Sequence, residues 1–284
     1  MTEGLTALRE GRALVDLSSW RKVLVQGADA ASWLNDLLTA ELSGIIHGEG
    51  RRSLLLSPTG RVRSDLTVTP IDDGFLLLQD PIQSAPIDDA LKPYVLSSEV
   101  VLEDRSAIVD LVAMPEGVST AGGRIFRPSP LGTGQGVTDG GARDVPGLVT
   151  ASLEEVEAYR IELGVPRVGV DLGEDSLPHE APLDEAIAQD KGCFLGQEAV
   201  AKVRNLGHPP FVVEAVRGPA GVGPGDPAVA GGHEVGRITS ATALDDGTAA
   251  LVRIKWAARQ APLVTEGGDE LRRVETRSGW ESAL

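Results

Sequence analysis

One cysteine in 284 residues limits how this chain can be held together. It excludes an intramolecular disulfide and any self-contained iron–sulfur or cysteine-rich zinc site, which need several thiolates. The fold must therefore rest on buried apolar surface. With 42% hydrophobic residues over 284 positions there is enough of it for two or three domains.

The cysteine lies in Lys191-Gly192-Cys193-Phe194-Leu195-Gly196-Gln197-Glu198. Gly192 and Gly196 bracket it, where the backbone can turn sharply or approach a ligand closely. Gln197 to Val203 reads as a short helix, which puts Cys193 just before a helix N-terminus with Lys191, Lys202 and Arg204 nearby. Such company favours a thiolate. The alternative is a cysteine acting as a small buried hydrophobe. Two of the chain's five lysines fall between positions 191 and 204, so general composition did not place them there.

A formal net charge of −16 argues against a nucleic-acid or anionic-membrane surface, which needs concentrated Lys and Arg. Met1 to Trp20 carries charges throughout and has no apolar core of a signal peptide, and no run approaches a membrane span. No direct nucleic-acid binding and no membrane contact are expected, and the expected location is the cytoplasm.

Arg21 to Gln26 reads as a strand, and Asp29 as the cap of a helix burying Ala30, Trp33, Leu34, Leu37 and Leu38. Ser53 to Ser57, the turn Pro58-Thr59-Gly60 and Arg61 to Thr69 make a hairpin. Strict alternation in its second strand puts Val62, Ser64, Leu66 and Val68 on one face. Asp65 then shares a polar row with Arg61 and Arg63, which without other information is a solvated strand face. Phe75 to Leu78, a helix opened by Pro86 and a strand at Val100 to Leu102 complete an α+β pattern. Leu131-Gly132-Thr133-Gly134-Gln135-Gly136 is glycine-rich, but no helix of the right spacing follows and no Gly-Lys-Ser/Thr closes it, so it is not a phosphate loop.

Ser152-Leu153-Glu154-Glu155 is a capping box, so a helix begins there, buries Leu153, Val156 and Leu163, and stops at Gly164. Pro178-His179-Glu180 lies in an irregular, proline-punctuated segment; for each of these side chains taken alone, an exposed loop is the simpler account. Beyond Pro210, short β runs separated by Gly, Pro and Asp read as a small all-β unit, barrel-like.

Lys191 to Glu198 resembles the K-G-C-Y-x-G-Q-E signature of the YgfZ-like folate-binding proteins, relatives of the glycine-cleavage T-protein, an aminomethyltransferase. Tyr159 to Arg167, Pro178-His179-Glu180 and Gly60 to Leu66 reinforce the likeness. The resemblance implies a three-domain ring: α+β domains over 1–105 and 106–206, a C-terminal β-barrel over 207–284, and tetrahydrofolate in a central channel. It implies support of iron–sulfur cluster assembly or repair in client enzymes, tRNA-modifying ones included, with client or assembly proteins as partners.

Cys193 occupies the place of the signature cysteine. Asp65 matches the T-protein's catalytic aspartate, with Ser64 replacing the acid before it, so folate-dependent aminomethyl or methyl transfer is the alternative activity. The T-protein's folate-contacting G-Y-T-G-E-D-G segment has no counterpart in the Gly-rich middle. Glu162 and Glu180 are candidates to hold the pterin edge, Lys191 and Gln197 further cofactor contacts, and Arg61, Arg63, Arg160 and Arg167 candidates for the anionic folate tail. No metal ligand is assigned.

Overall fold

Among the described residues, alternating and continuous β-prone runs assemble into three five-stranded sheets, with five α-helices packed on them. The structure, a computed structural model, describes residues 2–118, 120, 122–132, 134–140 and 145–275. The first sheet contains β2 (Arg21–Gln26), β3 (Arg51–Leu56), β4 (Val62–Ile71), β5 (Gly74–Gln79) and β6 (Val101–Asp104), antiparallel in the order β3-β4-β5-β2-β6. The second has β1 (Ala13–Asp16), β7 (Leu111–Met114), β8 (Arg124–Phe126), β9 (Gln135–Thr138) and β10 (Val149–Ala151), ordered β10-β1-β7-β9-β8. Residues 13–16 thus enter the second sheet before the chain builds the first.

The outer face of the first sheet presents Val23, Val25, Leu55, Leu66, Val68 and Leu77 to two helices, α2 (Ala30–Leu37) and α3 (Ile87–Leu91). Trp33 of α2 is buried there and donates its indole N–H to the Tyr94 carbonyl at 2.9 Å, so it packs as its spacing predicts. Asp29 is not the expected cap: its carboxylate accepts the Glu99 N–H at 2.8 Å instead and ties α2 to the edge strand.

The inner face meets the other two sheets. Leu54, Leu56 and Val62 pack with Val213, Ala215 and Leu251 of the third sheet, while Leu76 and Leu78 join Leu17, Trp20, Phe126 and Leu131 on the side of the second. Strict alternation fails at Val62 because of a bulge: Leu55 pairs with Ser64 but Leu56 with Val62. The extra residue turns Val62 away from Leu66 and onto the inner face. A polar strip, Arg52, Asp65 and Thr67, is left between the two apolar contacts.

Helix α1 (Glu3–Arg9) and helix α4 (Leu153–Leu163) lie beside the second sheet. The capping box forms as read, with Ser152 accepting the Glu155 N–H and Glu155 reaching back, and Gly164 ends α4 in the left-handed region. Leu153 departs from expectation, being 47% exposed at the rim of a cleft.

Where a small barrel is expected, the pairing gives a five-stranded antiparallel sheet: β11 (Phe211–Gly218), β12 (Pro227–Ala230), β13 (His233–Leu244), β14 (Gly247–Lys255) and β15 (Arg272–Val274), ordered β12-β13-β14-β11-β15. Val264 bridges to both Val229 and Glu270 near its ends. Helix α5 is Gln197–Leu206, three residues longer than the sequence pattern suggests. Among the described residues no helix is long and apolar enough to cross a membrane.

Candidate functional site

The polar strip on β3 and β4 faces a cleft of about 100 Å³. Leu17, Trp20, Leu131, Val156 and Val165 make its apolar walls, and Asp65, Arg52, Asp80, Glu157, Arg160 and Arg167 its charged ones. A second cavity of about 340 Å³ shares Arg52, Thr67, Pro130 and Gly132 with the first, so Arg52 stands in the wall between them.

Asp65 is fixed by Arg52 at its carboxylate and by Gln83 at its backbone. Arg52 donates to both its oxygens, Nε to Oδ1 at 3.1 Å and Nη2 to Oδ2 at 2.7 Å, and reaches Glu185 with Nη1 at 3.0 Å. Burial works against the Arg52 cation, but Asp65 and Glu185 outweigh it and raise its pKa above the ordinary arginine value. The β4–β5 ladder begins at Leu66–Gln79; at Asp65 the Gln83 side-chain amide stands in for a strand, accepting the Asp65 N–H at 2.8 Å and donating to its carbonyl at 2.7 Å. This position is therefore a built one, not the solvated row expected. The expected neighbours go elsewhere, Arg61 to the Asp175 carbonyl and Arg63 to Glu174.

The opposite wall is an ionic chain. Arg167 grips Asp80 through Nε and Nη2 at 2.7 and 2.9 Å and gives Nη1 to Glu157 at 2.9 Å. Glu157 and Arg160 stand three residues apart on α4 and pair there. Arg160 spends all five N–H groups internally, on Glu157, Asp171, the Val165 carbonyl and Ser240. Burial would raise the Glu157 pKa, but Arg160 and Arg167 hold it below the usual carboxylate range.

The cysteine loop lies elsewhere. Lys191 donates to the Asn35, Leu38 and Ala40 carbonyls at 2.6, 2.8 and 2.7 Å, capping the unsatisfied C-terminal end of α2. Phe194 is buried among Leu54, Leu56 and Val200. Gly196 has φ of +82°, and a Cβ there would sit 2.6 Å from the Ser57 carbonyl oxygen, so the β3–β4 turn nests on the start of α5. Gly192 has no such close neighbour. Braced at Lys191, Phe194 and Gly196, the loop leaves Cys193 exposed, which overturns the buried-hydrophobe alternative.

Burial lowers the Lys191 pKa to about 8, against a partial upward pull from Glu41 and Asp36. Between that value and the ordinary 10.5 the unfolded chain holds a proton that the folded chain releases, so this group adds stability as pH rises through the window. Titration of the Lys191 side chain by NMR is expected to give a midpoint of about 8; a midpoint at the ordinary 10.5 would contradict this burial.

Of the residues singled out from sequence, Asp65, Arg160 and Arg167 line the cleft, whereas Glu162, Glu180, Lys191, Cys193 and Gln197 do not. Glu162 pairs with Arg9 at 2.6 Å and ties α4 to α1. Glu180, only 1% exposed, accepts from Arg253 Nε of β14 at 2.9 Å, so its segment is no exposed loop. Gln197 opens α5 with its N–H on the Phe194 carbonyl. Thr133 of the Gly-rich run lies outside the described residues, while Leu131 and Gly132 line the cleft. Sequence reasoning missed Arg52, Asp80, Gln83 and Glu157. Only Glu157 carried a local signal, its spacing to Arg160.

The fold has a solved counterpart. The crystal structure of the glycine cleavage system aminomethyltransferase T from Bartonella henselae superposes with a TM-score of 0.79 over 98% of this chain and 90% of that one, at 18% identity. The fold is the T-protein fold. Residues 1–114 match the GCVT N-terminal domain family. An aminomethyltransferase of Mycobacterium leprae is 26% identical over 278 residues, covering 84% of this chain and 75% of that protein. A chloroplastic protein of Arabidopsis thaliana named as a transferase is 24% identical over 282 residues, 87% of this chain, which spans 65% of that relative's length. This chain is T-protein-like in sequence as well as in fold, and the cleft lies between the first sheet, α4 and the segments 130–132 and 165–168.

Proposed function

We propose that the cleft is a tetrahydrofolate site and that the chain is a folate-binding accessory protein of the YgfZ-like kind, supporting assembly or repair of iron–sulfur clusters in client enzymes, tRNA-modifying ones among them. The observation that carries this reading is the separation of two built features: a cleft with apolar walls and a charged floor, and a braced loop presenting Cys193 to solvent.

A pterin is a flat ring with a 2-amino-4-oxo edge, which suits apolar walls and needs carboxylate acceptors. A carboxylate offers about four acceptor sites. Asp80 has three taken, by Arg167 twice and the Ile82 N–H, and Glu157 has three taken by Arg160 and Arg167. Asp65 has two taken, both by Arg52, and is the best-placed acceptor for a ring N–H. Folate bound there would supply a carrier for one-carbon units. Trp20, Leu131 and Val156 would exclude water from the ring, and Cys193 would meet a partner's thiol, metal or cluster outside the cleft.

A second reading, folate-dependent aminomethyl transfer, is favoured by Asp65 lining the cleft and by relatives named aminomethyltransferase. The two separate cleanly. The accessory reading expects Cys193→Ala to bind tetrahydrofolate as the wild type does, in calorimetry, while failing to restore activity of an iron–sulfur client in cells lacking the chain. Full restoration by Cys193→Ala, with loss of aminomethyl transfer in Asp65→Asn, would establish the transferase instead.

A further inference from the structure

A whole tetrahydrofolate needs more room than the cleft offers. The cleft holds about 100 Å³, whereas sites for ligands of that size run to about 300–1,000 Å³. The second cavity, of about 340 Å³, supplies the missing room beyond Arg52. Thr67 of β4 belongs to both linings. It pairs with Arg52 across the β3–β4 ladder and stands two residues beyond Asp65, so its side chain and that of Asp65 share a face. Thr67 is only 4% exposed, yet among the described residues no group bonds its hydroxyl. A hydroxyl has one donor and two acceptor sites, and leaving them unmade in a buried place is costly. At the junction of two cavities, a ligand is the partner within reach.

Charge does not choose what enters the second cavity. Its arginines are held, Arg51 by Glu49 and the Glu41 carbonyl, Arg52 by Asp65 and Glu185, and the Glu41 and Glu185 carboxylates stand in the same lining. Pro128 and Pro130 add apolar surface. A neutral aromatic amide suits such a space better than a carboxylate does. We propose that the folate site is bipartite: the pterin lies in the cleft beside Asp65, the p-aminobenzoyl amide lies in the second cavity, and Thr67 is the binding residue between them, its hydroxyl bonded to that amide. The inference rests on the cleft being a folate site.

The test compares tetrahydrofolate with 6-methyltetrahydropterin, which keeps the ring and lacks the p-aminobenzoylglutamate, by calorimetry. The variants are Thr67→Val, Thr67→Ser and Ala188→Phe, the last at a residue that lines the second cavity and not the cleft. Thr67→Val is expected to weaken tetrahydrofolate by about three- to ten-fold, as one lost hydrogen bond requires, and to leave the pterin unchanged. Thr67→Ser keeps the hydroxyl and should bind as the wild type does. Ala188→Phe is expected to weaken tetrahydrofolate by about ten-fold or more and again to spare the pterin. Circular dichroism establishes that each variant is folded, and Ala188→Phe decides the matter if Thr67→Val does not fold. Tetrahydrofolate affinity in Thr67→Val within about two-fold of the wild type would overturn the role of Thr67. No effect of Ala188→Phe, equal weakening of both compounds, or no pterin binding by the wild type would overturn the bipartite site and leave folate binding standing. Failure of the wild type to bind tetrahydrofolate would overturn both.

Discussion

Replacing Arg160 with methionine is expected to remove about 3–5 kcal/mol of folding stability, the range for breaking a buried ion pair from one side. Arg160 is 3% exposed and joins three parts of the chain: Glu157 on its own helix, Val165 and Asp171 in the following segment, and Ser240 on β13. The Asp171 carboxylate has no exposed surface, and without Arg160 it would keep only neutral donors, the Thr239 and Ser240 hydroxyls and the Arg167 N–H. Methionine fills much of the volume, so the loss reads the electrostatics and not a cavity. Arg160→Lys should recover little, because a point charge cannot make five directed bonds. Urea unfolding measures the difference. A loss below about 1 kcal/mol, the scale of an exposed pair, would show that the network is not buried as described.

The second large effect is expected at Arg253. Its Nε donates to the buried Glu180 at 2.9 Å, its Nη2 lies 2.8 Å from the same carboxylate oxygen as an ion pair, and the guanidinium lies over the Phe211 ring at 4.3 Å. Arg253→Met strands the Glu180 carboxylate, whose other oxygen accepts only the Leu177 N–H, and removes the stacking contact. A loss of about 3 kcal/mol is predicted. Because Glu180 belongs to the single turn Pro178–Glu180, limited proteolysis of the variant should cut first between residues 175 and 190. Wild-type resistance there would mean that the third sheet does not hold this segment through Arg253.

Local signals read correctly wherever a few neighbouring residues fix the outcome. Ser152 and Glu155 announce α4 because the capping box is complete within four positions, and Gly164 ends it because the chain must turn left-handed there. Trp33 and its neighbours place α2 for the same reason. The site was legible only in part, because its geometry is made by distant pairs. Asp65 was recognised, but its partner was taken from its own strand; the bulge beside Val62 and the neighbouring strand supply Arg52 instead. Glu180 and Lys191 were assigned to a ligand on the strength of their motifs. Folding gives Glu180 to Arg253 and Lys191 to the end of α2, contacts that span more than 70 residues in each case. The motif around Cys193 is, in physical terms, a recipe for bracing an exposed thiol, with the lysine, the aromatic residue and the second glycine each doing part of the bracing.

The most direct test of the account is a calorimetric titration of tetrahydrofolate into the wild type and into Leu131→Trp, which fills the apolar side of the cleft while leaving Asp65, Arg52 and Cys193 untouched. The account predicts saturable binding at one site in the wild type and its loss in the folded Leu131→Trp variant. Equal binding by the two proteins, or none by the wild type, would contradict the claim that the cleft between the first sheet and α4 is a folate site.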